Sequence, residues 1–257
     1  MSLARLLPAG CGHEGGSLIL IGTSGWAYKH WIGCFYPRDL KQKEWLPHFA
    51  GRFPTVEINR SFYRLPTWEN FASWAGQVGW HPGFTFAVKA SRYLTHLKKL
   101  YGPEEPLERM VGAARGLGRH LGPFLYQLPP RFPADPQRLR YFISKLPGEH
   151  RAAFEFRDGS WYSPEILGIL NETGCALVRA VGGHYTPVEV PDAGPFRYLR
   201  VHGGQYGIGL TEGELQYWAD RIREYASQGL DVYVYFNNDP DCHAIYNAYR
   251  LRETLGV

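Results

Sequence analysis

Short runs of aliphatic, β-branched and aromatic residues recur along this chain, each bounded by Gly, Pro or polar positions. They are Leu18–Ile21, Thr55–Ile58, Phe84–Lys89, Pro123–Gln127, Ala152–Phe156, Cys175–Val178, Phe196–Val201 and Asp231–Phe236. Their starts lie roughly 30 residues apart, the size of one βα unit. The intervening segments carry helical patterns over 105–120, 135–146, 163–173, 211–227 and 241–255, and another opens at Pro66–Phe71. Thr67 reads as an N-cap, and Thr211 with Glu214 has the spacing of a capping box. Residues 180–195 differ: Gly182, Gly183, Pro187, Pro191 and Pro195 predict an irregular sixth crossover. Eight such units predict an α/β fold, a TIM (β/α)8 barrel, over one domain spanning 18–257. A doubly wound open sheet is the rival. It would favour a dinucleotide turn after the first strand, and Gly22-Thr23-Ser24-Gly25-Trp26 is not G-x-G-x-x-G.

Alternation within the strands then sorts the side chains. Successive strand residues point to opposite faces. In a barrel one face meets the helices and the other lines the interior. The bulky set Val56, Ile58, Phe84, Phe86, Val88, Phe154 and Phe156 belongs against helices. The interior then receives Glu57, Asn59, Lys89, Glu155 and Arg157, with Gln127, Arg200, His202 and Asn237 at the ends of strands four, seven and eight. Charges are expensive to bury unless paired or solvated. Here they gather at the C-terminal ends of several strands, where this fold builds active sites. An ion-pair layer plugging the barrel is the structural alternative. Loops after strands seven and eight, His202–Gly207 and Asn237–Asp239, suit an anion held by backbone N–H groups; a flexible turn and an N-cap at Asp239 or Asp241 are the plain alternative. Trp26, Tyr28, Trp31, Phe62, Tyr63, Trp161 and Tyr162 follow strands one, two and five. They serve either as stacking walls, with Trp26 and Tyr63 as candidates, or as core.

Composition narrows the class. The 257 residues are 44% hydrophobic, 15% aromatic and 20% charged, which excludes intrinsic disorder. No apolar run reaches the roughly 20 residues that span a bilayer. A net charge of +4 permits an anionic partner without demanding nucleic acid. Cys11, Cys34, Cys175 and Cys242 contain no C-x-x-C pair, and no disulfide framework is expected. Residues 1–17 read as a Gly-rich disordered leader, too weakly apolar for a signal peptide, so the expected compartment is the cytoplasm.

The same residues carry a family pattern. Ile21-Gly22-Thr23-Ser24-Gly25-Trp26, Val56-Glu57-Ile58-Asn59-Arg60-Ser61-Phe62-Tyr63, Phe86-Ala87-Val88-Lys89-Ala90-Ser91-Arg92, Gln127-Leu128-Pro129-Pro130, Phe154-Glu155-Phe156-Arg157, Trp161, Val201-His202-Gly203 and Tyr235-Phe236-Asn237-Asn238-Asp239 resemble the YecE-like proteins, the domain of unknown function 72 family. The resemblance runs in order from about 18 to 255 and implies a TIM barrel. It implies no established activity, so no catalytic role is carried over. One departure stands out. The family tends to have an acidic residue after strand six, where this chain reads Val178-Arg179-Ala180-Val181, so Arg179 is expected to stand for a carboxylate at the rim.

Three functional classes follow. The first is metal-independent acid/base chemistry, hydrolase- or lyase-type, on a small anionic or polyhydroxylated molecule such as a sugar or sugar phosphate. Glu57 and Glu155 would act as a protonated acid and an ionised base. Lys89, Arg157 and Arg200 would neutralise charge. Asn59, Gln127 and Asn237 would orient hydroxyls. Lys89 as a Schiff-base nucleophile is a variant of this class; it needs a desolvated amine, whereas Glu57 nearby is expected to keep it charged. The second class is a metal-assisted phosphodiesterase acting on nucleic acid, with Glu57, Glu155, His202 and Asp239 as ligands. Lys and Arg around so few ligands disfavour it. The third is a non-catalytic binder of an anion. No cofactor is predicted; a divalent metal arriving with substrate stays open, and the oligomeric state is not readable.

Overall fold

A computed structural model describes residues 16–182, 191–205 and 207–257. Most of the expected leader, the centre of the sixth crossover and Tyr206 of the loop after strand seven lie outside the described residues.

Eight parallel strands close into a barrel in sequence order, each pairing with its neighbours and the last with the first. They are β1 (Ile19–Ser24), β2 (Thr55–Ile58), β3 (Thr85–Lys89), β4 (Leu121–Gln127), β5 (Ala152–Glu155), β6 (Ala176–Val181), β7 (Phe196–Val201) and β8 (Asp231–Phe236). Helices lie between them: α1 (Trp45–Ala50), α2 (Arg60–Tyr63), α3 (Trp68–Gln77), α4 (Glu104–Ala114), α5 (Pro136–Ser144), α6 (Pro164–Thr173), α7 (Glu212–Ser227) and α8 (His243–Leu255). The arrangement is the TIM barrel that the periodicity predicted. Thr67 and Thr211 cap α3 and α7 through reciprocal bonds with Asn70 and Glu214. The helix expected over 105–120 ends at Ala114, and a 3-10 segment (Arg115–His120) with a backbone break at Gly118 carries the chain into β4. Among the described residues no helix is long and apolar enough to cross a membrane.

The interior is filled asymmetrically. Phe196, Tyr198, Tyr233 and Tyr235 project inward from β7 and β8, and Ala87, Ala153 and Ala176 face them from β3, β5 and β6. Large side chains opposite small ones let the layers interlock without voids. Arg151 closes the N-terminal end through Asp231 at 2.8 Å and the Tyr233 hydroxyl at 2.6 Å. The apolar filling thus occupies the lower barrel and leaves the upper positions to polar residues.

Two close approaches depend on topology. A Cβ on Gly22 would strike the backbone carbonyl of Thr55 in β2. We expect Gly22→Ala to destabilise the barrel by about 3 kcal/mol, the upper range for overpacking, since backbone cannot yield as a side chain does. A urea midpoint within experimental error of wild type would contradict this. The second approach joins Cys34, in the loop after β1, to Cys242, immediately before α8, as a disulfide. The cysteine spacing did not anticipate it. The partners are separated by 208 residues and meet because β1 and β8 are neighbours, with Cα atoms 6.7 Å apart.

Candidate active site

The polar residues that alternation sent inward meet in one buried layer. Arg200, on β7 one inward position above Tyr198, crosses the barrel between two carboxylates. Its Nη2 and Nε donate to Glu57 on β2 at 2.9 and 3.0 Å, and its Nη1 donates to Glu155 on β5 at 2.7 Å. All three side chains are essentially inaccessible. Glu57 also accepts from the hydroxyls of Ser24 at 2.5 Å and Tyr198 at 2.7 Å. Glu155 also accepts from Gln127 at 2.7 Å and Arg157 at 3.1 Å. Buried ions persist only when charge and lone pairs are both satisfied, and this lattice satisfies both.

The electrostatics follow from that geometry. Burial is the largest single influence and by itself would raise both carboxyl pKa values, but for each the Arg200 charge and the neighbouring cations and donors together outweigh it. Arg200's hydrogen bonds and Lys89 act with it on Glu57, and Arg157, His202 and Lys89 on Glu155. Both carboxylates are held below the ordinary range and stay ionised. Burial likewise disfavours the charged guanidinium of Arg200, yet the two glutamates raise its pKa and keep it protonated. The expected division into a protonated acid and an ionised base therefore does not fit this pair. One guanidinium occupies the space between them.

Lys89, at the end of β3, behaves differently. It is 7% exposed, and its Nζ stands 4.3 Å from the centre of the Phe62 ring. It makes no ion pair or side-chain hydrogen bond among the described residues, because the nearby carboxylates are committed to Arg200. Burial first, then repulsion from Arg200, lowers its pKa to about 8, although Glu57 and Glu155 pull the other way. The expectation that Glu57 would keep this amine charged is thus only partly met. Ser24 and Tyr198 were not singled out as site residues from the sequence, and Phe62 was only one of seven aromatics offered as stacking wall or core. Ser24 and Tyr198 were readable there as inward positions of β1 and β7, while Phe62 comes from the short α2 turn, whose direction no alternation specifies.

The remaining candidates are distributed around this layer. Asn59 occupies the N-cap position of α2 without a side-chain cap bond, and its Oδ1 is buried without a hydrogen-bond donor. The Nδ2 of Asn237 lies 3.2 Å from the Nδ1 of His202, whose pKa burial and Arg200 lower to about 4, so the ring is neutral. Tyr63 is exposed at the rim. Trp26 does not wall the site; its ring packs edge-on against Trp74 and Phe86 between strands and helices. Trp31 and Trp161 are fully buried and serve as core. Arg179 is not at the rim. It lies on the outward face of β6 and pairs with Asp192 at 2.9 Å, since residues 176 and 178 hold the inward positions. Asp239 holds the N-cap position of the 3-10 turn Pro240–Cys242 that leads into α8, without a side-chain cap bond, and Cys242 holds the N-cap position of α8 itself. Among the described residues no three His, Cys, Asp or Glu side chains are grouped to hold a metal ion.

The family model for proteins of unknown function DUF72 matches residues 20–257. The UPF0759 protein YunF of Bacillus subtilis is 26% identical, with 93% of this chain and 95% of that protein aligned. A crystal structure of a DUF72 family protein from Thermotoga maritima superposes with a TM-score of 0.79 at 26% identity, over 93% of this chain and all of the other. One from Enterococcus faecalis gives 0.75 at 20% identity, over 93% and 96% of the two chains, and shares the fold. The match to the family model over nearly the whole barrel, containing every residue of the buried polar layer, places this chain in the DUF72 family.

Proposed function

We propose that the polar layer at the C-terminal end of the barrel is the active site of an enzyme. Its reaction would be metal-independent acid/base chemistry on a small anionic or polyhydroxylated molecule. The observation that carries this reading is Lys89: a buried amine, left without a carboxylate partner, whose pKa of about 8 lies near the working range of a proton-transfer catalyst. In this reading the roles differ from those expected of the sequence. Lys89 exchanges the proton. Glu57 and Glu155 hold Arg200, and the rigid triad fixes the floor on which substrate rests. Asn59, with its unsatisfied oxygen, receives a substrate hydroxyl.

The charge balance selects the ligand. Arg200, Arg157 and protonated Lys89 face two carboxylates, leaving a local excess of one positive charge. Desolvated surroundings amplify that excess. Arg157, still one-fifth exposed, is placed to meet an anion from solvent. Calorimetric titration with inorganic phosphate and glycerol 3-phosphate tests this. Saturable binding is expected in the presence of EDTA. Arg157→Gln should weaken it about tenfold, equivalent to about 1.4 kcal/mol. Absence of binding, or binding indifferent to Arg157, would remove the anion from the reading.

A further inference from the structure

The arrangement around Lys89 points to more than proton exchange. We infer that Lys89 is a covalent nucleophile, condensing with the carbonyl group of a small anionic ketone or aldehyde to form an imine. The inference rests on the anion-binding reading above and names its substrate class.

Three geometric observations support it. First, the amine is buried, yet no carboxylate is bonded to it: Glu57 and Glu155 are each engaged by Arg200, and by Ser24, Tyr198, Gln127 and Arg157 besides. A lysine retained only for structure would be expected to pair, because an unpaired buried ammonium is costly. Second, its Nζ stands over the apolar face of Phe62. That face attracts the ammonium form but offers no donor to the lone pair of the neutral amine, which stays available to an electrophile. Third, two guanidinium cations face it from other elements. Arg157 comes from the end of β5 and Arg200 from β7, with His202 and His96 both neutral through burial and neighbouring cations. Against them stand the two ionised glutamates, each already bonded to Arg200. The cations disfavour protonated Lys89, and the same cations would attract the anionic group of the substrate.

The step balances without any oxidant or reductant. The amine lone pair forms a bond to the carbonyl carbon as the C=O π pair moves to oxygen. That oxygen takes a proton, the nitrogen loses one, and the carbinolamine expels water to leave the imine. No group other than amine, carbonyl and water is consumed or produced. The imine withdraws electrons from the adjacent carbon, which suits an enzyme that breaks a C–H or C–C bond there.

Reductive trapping tests it. The full chain is incubated with dihydroxyacetone phosphate and sodium cyanoborohydride, then mapped by peptide mass spectrometry; glycerol 3-phosphate binding is measured in parallel. The expected result is a secondary-amine adduct at Lys89, with the mass of the probe less one oxygen, formed faster than at exposed Lys29, Lys41 and Lys43. Its rate should rise to a plateau near about pH 8. Lys89→Arg should abolish the adduct. Binding of glycerol 3-phosphate with adducts confined to exposed lysines, or with none, overturns the imine and leaves the anion site standing. Failure of both binding and trapping overturns both readings. The wild-type peptide map decides the matter even where the variant folds poorly.

Discussion

Replacing Arg200 with Met is expected to destabilise the barrel by about 3–5 kcal/mol, the range for removing one partner of a buried ion pair. For a chain of this size the melting temperature should fall by roughly 6–20 °C. The loss arises because Glu57 and Glu155, both buried, would face each other across the barrel without the guanidinium that keeps them ionised. The pH dependence should also change sign. In the wild type both carboxyl pKa values are depressed. Their contribution is present above the unfolded carboxyl pKa of about 4.3 and is lost as pH falls through the lower folded values. In the variant, burial would dominate and raise them. A group with a raised folded pKa contributes stability below its unfolded pKa and loses it as pH rises through the folded one. Arg200→Met should therefore become more stable on acidification from about pH 7 to about pH 5, where the wild-type contribution is flat. Urea midpoints across that interval check it. A destabilisation below about 1 kcal/mol would indicate that the triad is not the keystone of the polar layer.

The second large effect has the opposite direction. Lys89→Met should stabilise the protein at about pH 7 by roughly 2–3 kcal/mol, because the wild type buries an amine whose pKa is depressed to about 8. Met keeps the unbranched apolar length and removes the charge. Between about pH 8 and the unfolded lysine value of about 10.4, the unfolded wild type binds more protons than the folded state, so wild-type stability should rise with pH. The variant should lack that rise. The useful window closes near about pH 9.5, where exposed tyrosines of the unfolded chain begin to ionise. Equilibrium urea unfolding of the two proteins at about pH 7, 8 and 9 provides the comparison. Equal stabilities throughout would mean that Lys89 is well solvated or paired. A variant more stable than wild type, yet unable to form the imine, would be the pattern of a residue kept for chemistry at the expense of the fold.

Much of this site was legible before any coordinates. Glu57, Lys89, Glu155 and Arg157 lie on the face opposite Val56, Val88, Phe154 and Phe156, so period-two alternation alone sends them inward. What alternation does not carry is direction within the interior. It could not say that Arg200 reaches across to both glutamates, and so it assigned those glutamates the acid and base roles and left Lys89 under the influence of Glu57. The aromatic residues were harder still. Trp26, Trp31, Trp161 and Tyr63 all follow strand ends, yet one packs under α3, two are core and one is exposed. Loop conformation decides among these, and loop residues have no fixed period.

The sequence by itself determined the barrel, its eight strands in order, the capped starts of α3 and α7, and the set of charges facing inward. These depend on local propensity and on the repeat of side-chain direction, both written residue by residue. Only the tertiary structure decided which charges pair, that Cys34 meets Cys242, that Arg179 turns outward to Asp192, and that Lys89, alone among the buried ions of the described residues, is left without an opposite charge bonded to it. Those outcomes depend on distances between residues far apart in the chain. In a closed barrel such distances are fixed by how the strands stagger and how large and small side chains fill the centre, and neither is a property of any one segment.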